Sequence, residues 1–129
     1  MAPLVSVIIP TYNREKIIGK VYLKRGAIAT SGDYERFYIF NGVRYSHIID
    51  PRTGYPVQRE ASVSVKADTG LIADAWATAL FVLGREAGLK LLQSRPDLEA
   101  LFLEPSGDFG ATEWFYENMT WGQAAPRED

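Results

Sequence analysis

A chain of 129 residues, 47% hydrophobic and 23% charged, has the size and composition of one domain with its own core. Fourteen Lys+Arg against sixteen Asp+Glu leave a formal charge of -2, which excludes a basic nucleic-acid surface; zero cysteines exclude disulfides, thiolate metal sites and a cysteine nucleophile. No apolar run reaches the ~20 residues of a membrane span, and residues 1–10 lack the basic start and long apolar stretch of a signal peptide, so no targeting signal is expected.

Residues 4–9 (LVSVII) form a short β-branched run closed by Pro10 and predict a buried strand, followed by a polar turn over 11–15. Residues 17–23 predict a second strand, which Gly26 separates from 27–30. Residues 30–34 (TSGDY) read as a polar turn. Residues 34–40 and 43–50 flank Asn41-Gly42, a hairpin signal because both turn residues accept positive φ. Residues 50–56 (DPRTGYP) predict an ordered loop, and 61–67 alternate as a half-buried strand. Residues 71–83 are apolar nearly all round and predict a fully buried helix ending at Gly84. Residues 85–94 predict a second helix, with Leu89 and Leu92 on one side. A strand over 98–104, a turn over 105–110, an aromatic-rich last strand over 112–119 and a polar tail follow. Strands, two helices, then strands predict an α+β fold, a mostly antiparallel sheet packed against two helices.

Asp74 and Thr78 are the only polar side chains of the predicted helix and share one face, a turn apart. An unpaired carboxylate among apolar groups costs several kcal/mol. A hard cation such as Mg²⁺, taking carboxylate and hydroxyl oxygens, is one solution. The other puts Asp74 at the positive end of the helix dipole and bonds Thr78 back to a carbonyl. Spacing leaves both open. His47, the single histidine, is either a hydrogen-bonded structural residue or, if the 50–56 loop borders a pocket, the one base for neutral pH. The TSGDY segment offers Thr30, Ser31 and Gly32 as a phosphate cradle, or ordinary turn chemistry with an Asx-type bond from Asp33.

Four segments, 29–37 (ATSGDYERF), 45–57 (YSHIIDPRTGYPV), 61–68 (ASVSVKAD) and 73–84 (ADAWATALFVLG), resemble in order and spacing the C-terminal part of the ApbE family, the FAD:protein FMN transferases formerly described as thiamine-biosynthesis lipoproteins. The resemblance covers about residues 14–119. It implies an ApbE-like (T-fold-like) half domain that cleaves FAD with Mg²⁺ and attaches FMN to a Thr or Ser of a target flavoprotein. Carried onto this sequence, it makes Asp74 and Thr78 the Mg²⁺ ligands, with the Ala77 carbonyl. His47 and Ile48 fall in the segment lining the FAD site, with His47 as the catalytic group that takes the acceptor hydroxyl's proton. Thr30, Ser31 and Gly32 join the cofactor-binding set. Members of the family are typically exported to the periplasm. They are longer than this chain, and their front part supplies a flavin-stacking aromatic and a Gly-rich segment not found here.

Residues 1–13 resemble instead the opening strand of family-2 glycosyltransferases (VSVIIPTYN), a match too short for glycosyl transfer. The expected organisation is therefore a leader strand over 1–13, an ApbE-like segment over 14–119 and a polar tail over 120–129, as in a chimera or truncated gene product. Two functional expectations follow. One is a flavin transferase segment, incomplete and weakly active or inactive alone, with FAD, a target flavoprotein or a separate N-terminal half as partners. The other is a folded, non-catalytic fragment with residual metal or nucleotide binding, which self-associates as a homo-oligomer through uncovered apolar surface.

Overall fold

The structure, a computed structural model, describes residues 5–10, 17–33, 36–59 and 61–121; the polar turn expected over 11–15 and the tail beyond 121 lie outside the described residues. In chain order these form β1 (Val5–Pro10), β2 (Ile17–Leu23), β3 (Ala27–Gly32), β4 (Phe37–Phe40), β5 (Val43–Ser46), β6 (Ser62–Ala67), α1 (Gly70–Leu83), α2 (Arg85–Leu92), β7 (Glu99–Leu103), β8 (Phe109–Ala111), α3 (Glu113–Asn118) and β9 (Met119–Trp121).

The fold is α+β with antiparallel ladders throughout the described residues, as expected. The strands are divided, however, among three sheets in the orders β1-β2-β9, β3-β6-β7-β8 and β4-β5. The Asn41-Gly42 turn forms as read: φ is 50° and 75° at its two residues, and the ladder closes Phe40 on Val43. That double positive φ matches the twist of the flanking strands.

The four-stranded sheet carries a core on each face. Val63, Val65, Ala100 and Phe102 face α1 and α2, and meet Ala73, Ala77, Leu80 and Phe81. Alternation along β7 turns Leu101 the other way, onto Val21, Phe115 and Met119. Each fully buried large side chain such as Phe81 contributes about 1.5–3 kcal/mol relative to exposure.

Four sequence expectations are corrected. Residues 113–118 are helical, not extended: Trp114, Phe115 and Asn118 turn inward while Glu113, Tyr116 and Glu117 are exposed, a helical period that aromatic content disguises. The fold therefore holds a third helix, on the opposite face of the sheet from α1 and α2. Phe109–Ala111, which overlaps the end of the turn expected over 105–110, is the short strand β8, and Met119–Trp121, expected as the last strand residue and the start of the tail, is the short strand β9. Thr30, Ser31 and Gly32 end a strand, paired with Ser64, Val63 and Ser62, rather than forming a free turn. Finally, α1 is buried on one face only. Leu71, 82% exposed, Asp74, Ala75, Thr78 and Ala79 lie on the open side, where alanines raise the apolar count without adding much surface.

Candidate active site

A cleft of about 740 Å³ opens between the end of β3, the first half of α1 and the chain following β5. Its first side is built by the packing of α1 across β3 and β6. Thr69 starts that helix, its hydroxyl accepting the Ile72 amide at 3.3 Å. Asp74 lies beyond the first turn, which holds no acidic residue, so the dipole explanation for it fails. Being exposed, its carboxylate also escapes the burial cost expected from sequence.

Thr78 bonds back to the helix, donating to the Asp74 carbonyl at 3.3 Å. Its only proton is spent there. Ser31, 2.9 Å away across the β3–α1 contact, must therefore donate to Thr78. One Thr78 Oγ1 lone pair then remains, in the same cleft as Asp74. This hard oxygen set fits Mg²⁺ better than a soft metal. Among the described residues no three His, Asp or Glu side chains cluster as a ready metal cage. The Ala77 side chain is fully buried in the core on the other face of the helix.

The second side comes from the hairpin. Counting outward from the turn, Phe37 opposes Ser46, and Arg36 and His47 are the next pair. His47 is exposed. Its amide donates to the Arg36 carbonyl at 3.4 Å, and its Nδ1 lies 2.9 Å from the same oxygen. A carbonyl only accepts, so Nδ1 carries the hydrogen and Nε2 is the basic nitrogen of the neutral ring. Ile48 points inward, 8% exposed, its amide donating to the Ser46 hydroxyl at 3.1 Å. Thr30, Ser31, Gly32, His47, Ile48, Asp74 and Thr78 thus line one cleft; Ala77 does not. Thr30 Oγ1 is bonded to Ser64 Oγ at 2.7 Å, and Asp33 is engaged by Arg44; the Asx-type bond expected from Asp33 falls on residues outside those described.

Arg36 and Ile49 also line the cleft and were not singled out by sequence. Arg36 was within reach, since a two-residue turn fixes its position opposite His47.

The 50–59 segment ties the two sides together. Arg52 holds Asp50 through Nε at 2.9 Å and Nη2 at 2.7 Å, with its amide at 2.9 Å, and this keeps the Asp50 carboxyl down to about 2. Arg59 Nη1 donates to the Phe81 carbonyl at 2.7 Å, and Arg52 Nη2 reaches that of Val82 at 3.5 Å. Two cations therefore sit on the carbonyl end of α1, a helix with no basic residue in its last turn.

Residues 4–102 match the family model described as the ApbE family, and the chain belongs to that family. It is 39% identical over 100 residues to the FAD:protein FMN transferase of Klebsiella pneumoniae (strain 342), covering 77% of this chain and 32% of that protein. It is 51% identical over 80 residues to that of Treponema pallidum (strain Nichols), covering 61% and 22%. Its fold is similar to the ApbE protein of Thermotoga maritima, with a TM-score of 0.79 and 35% identity over 91% of this chain and 40% of that one. The flavin transferase ApbE of Vibrio cholerae gives 0.70 and 31%, over 90% and 38%. The chain thus spans about a third of the length of the Klebsiella relative. No helix among the described residues is long and apolar enough to cross a membrane.

Proposed function

We propose that this chain carries the metal and general-base side of a flavin transferase site: Mg²⁺-dependent cleavage of FAD and transfer of FMN to a Thr or Ser of a target flavoprotein. The observation that carries the reading is the Asp74–Thr78–Ser31 cluster facing, across one cleft, a histidine whose tautomer is fixed by a carbonyl.

Asp74 and Thr78, with the Ala77 carbonyl, would hold Mg²⁺; when bound, it would neutralise pyrophosphate charge and polarise phosphorus towards attack. Ser31 orients the Thr78 hydroxyl by donating to it, leaving a lone pair for the cation. Thr30 and Gly32, at the strand end, border the space for the phosphates. His47 Nε2 takes the proton of the acceptor hydroxyl, while Nδ1–H on the Arg36 carbonyl keeps the ring from turning and steadies the imidazolium that results. Ile48 closes the floor with an apolar side chain. In the relatives the remaining length would complete the flavin pocket, so activity of this chain alone is proposed to be weak.

A second reading, a self-associating fold with residual metal or nucleotide binding, is favoured by the hairpin's exposed Tyr38, Ile39 and Phe40. One experiment separates them: the chain incubated with FAD and Mg²⁺, with chromatography for AMP and FMN. Product that vanishes with EDTA and in Asp74→Ala supports the transferase. No product, with a sedimenting mass that grows with concentration, leaves the second reading.

A further inference from the structure

The two-stranded sheet β4-β5 shares no ladder with either other sheet among the described residues. His47, the proposed base, stands at the end of this hairpin, whereas Ser31, Thr78 and Asp74 stand on the main sheet and its helix. Something other than a β-ladder must set the spacing between them.

Besides Ile48 in the main core and the 50–59 segment, the direct tie between the hairpin strands and the end of β3 runs through Arg44 of β5. Its Nη2 donates to the Asp33 carbonyl at 2.9 Å, and its Nε lies 3.5 Å from Asp33 Oδ2. Asp33 directly follows β3, two residues beyond Ser31, and is only 2% exposed. The same guanidinium lies 3.8 Å over the ring of Phe37. Phe37 is the neighbour of Arg36, whose carbonyl holds His47 twice. One planar cation thus grips the end of the metal-side strand and the root of the histidine-side strand. Arginine suits this role because it can donate in its plane and stack on an aromatic face together. A carboxylate as deeply buried as Asp33 in turn demands a cation.

We infer that Asp33 and Arg44 are positioning residues: they form a strut that sets the distance and orientation of His47 relative to the Asp74–Thr78 side of the cleft. The inference rests on the flavin transferase reading for its consequence in catalysis. Its structural content, that His47 is placed through Arg44, stands separately.

His47 is the single histidine, so its imidazole signals in an NMR spectrum of the full chain identify themselves. The variants are Arg44→Met, Arg44→Lys and Asp33→Asn, with circular dichroism and tryptophan fluorescence to check folding. In Arg44→Met the His47 ring signals of the metal-free protein should move towards those of a mobile histidine. Mn²⁺ should bind with affinity within about twofold of wild type, because neither Asp74 nor Thr78 is touched, yet broaden the His47 signals several-fold less. FAD affinity should fall about tenfold, the lower end of the ~10–100-fold that removing a supporting outer-shell partner costs a metal site. Arg44→Lys should recover part of each change by restoring the charge without the stack. A merely stabilising pair would leave the spectroscopic and Mn²⁺ readouts where they are.

A folded Arg44→Met with wild-type His47 signals overturns the inference. If that variant does not fold, Asp33→Asn, which keeps shape and removes charge, decides by the same readouts. If wild type binds neither Mn²⁺ nor FAD, the flavin transferase reading falls. The metal-free His47 signals still decide the strut, displaced in the variants or not.

Discussion

At the scale of single residues, the decisive feature is the direction of one hydrogen. The Arg36 carbonyl forces the proton of neutral His47 onto Nδ1, which leaves Nε2 to act as base. Asparagine and glutamine test the two nitrogens separately, because the Asn amide lies near the position of Nδ1 and the Gln amide near that of Nε2. His47→Asn should keep the bond to the Arg36 carbonyl, the fold and FAD binding, yet lower the rate of FMN transfer by about 10²–10⁴-fold. Single-turnover measurement of transfer to a target protein, set beside an FAD titration, checks it. Equal loss of binding and transfer would mean that His47 holds substrate rather than moving a proton. The juxtaposition of Arg36 and His47 was legible in the sequence, since Asn41-Gly42 fixes the pairing register outward to both. That Ser31 would donate to Thr78 was not, because those two residues lie on elements separated by 47 positions and meet only through packing.

At the scale of elements, the DPRTG loop reads in sequence as an ordered turn, but its purpose emerges only from what it touches. Arg52 and Arg59 place their charge on the last carbonyls of α1, and this fixes the far end of the helix that bears Asp74 and Thr78. The loop is itself locked by Asp50, whose carboxyl is brought to about 2 from an ordinary 3.8, chiefly by the Arg52 side-chain hydrogen bond and then by the Arg52 amide. A folded value below the unfolded one means the contribution is complete above 3.8 and lost as pH falls from there through about 2. Asp97, lowered by Arg95, acts in the same direction. Asp50→Asn should therefore flatten, without abolishing, the fall in thermal midpoint between about pH 4 and pH 2. Arg52 and the Arg95–Asp97 pair face solvent while the Asp50 side chain is 16% exposed, so the change is small and salt-sensitive. Unfolding curves across that pH range, at low and high salt, provide the measurement; an unaltered slope would remove the pair from the acid response. The helix α3 was illegible for a different reason: EWFYEN has the aromatic content of a strand, and its helical period shows only once Leu101 and Val21 give Phe115 a core to enter.

At the scale of the whole molecule, one sheet divides two cores, and the distance at which α2 rests on that sheet is set by a missing side chain. A Cβ at Gly88 would meet Phe102 Cζ at 2.5 Å and Cε1 at 3.0 Å. Phe102 is 3% exposed and belongs to the core shared with Leu80, so its ring has little room to swing aside. Two effects of Gly88→Ala oppose each other. Helix propensity favours alanine by about 1 kcal/mol, whereas overpacking a close-fitted core costs about 1–3 kcal/mol. The close approach to a ring rather than to a flexible chain end decides in favour of the second, and the variant should lose about 1 kcal/mol net. Urea unfolding should show a lower midpoint with an unchanged slope, because the surface exposed on unfolding stays the same. Mn²⁺ affinity should be unaffected, since α1 packs on β3 and β6 directly and carries Asp74 and Thr78 with it. A Gly88→Ala variant more stable than wild type would show that α2 rides loosely on the sheet; one that also lost Mn²⁺ would show that the seat of α2 reaches the cleft through α1.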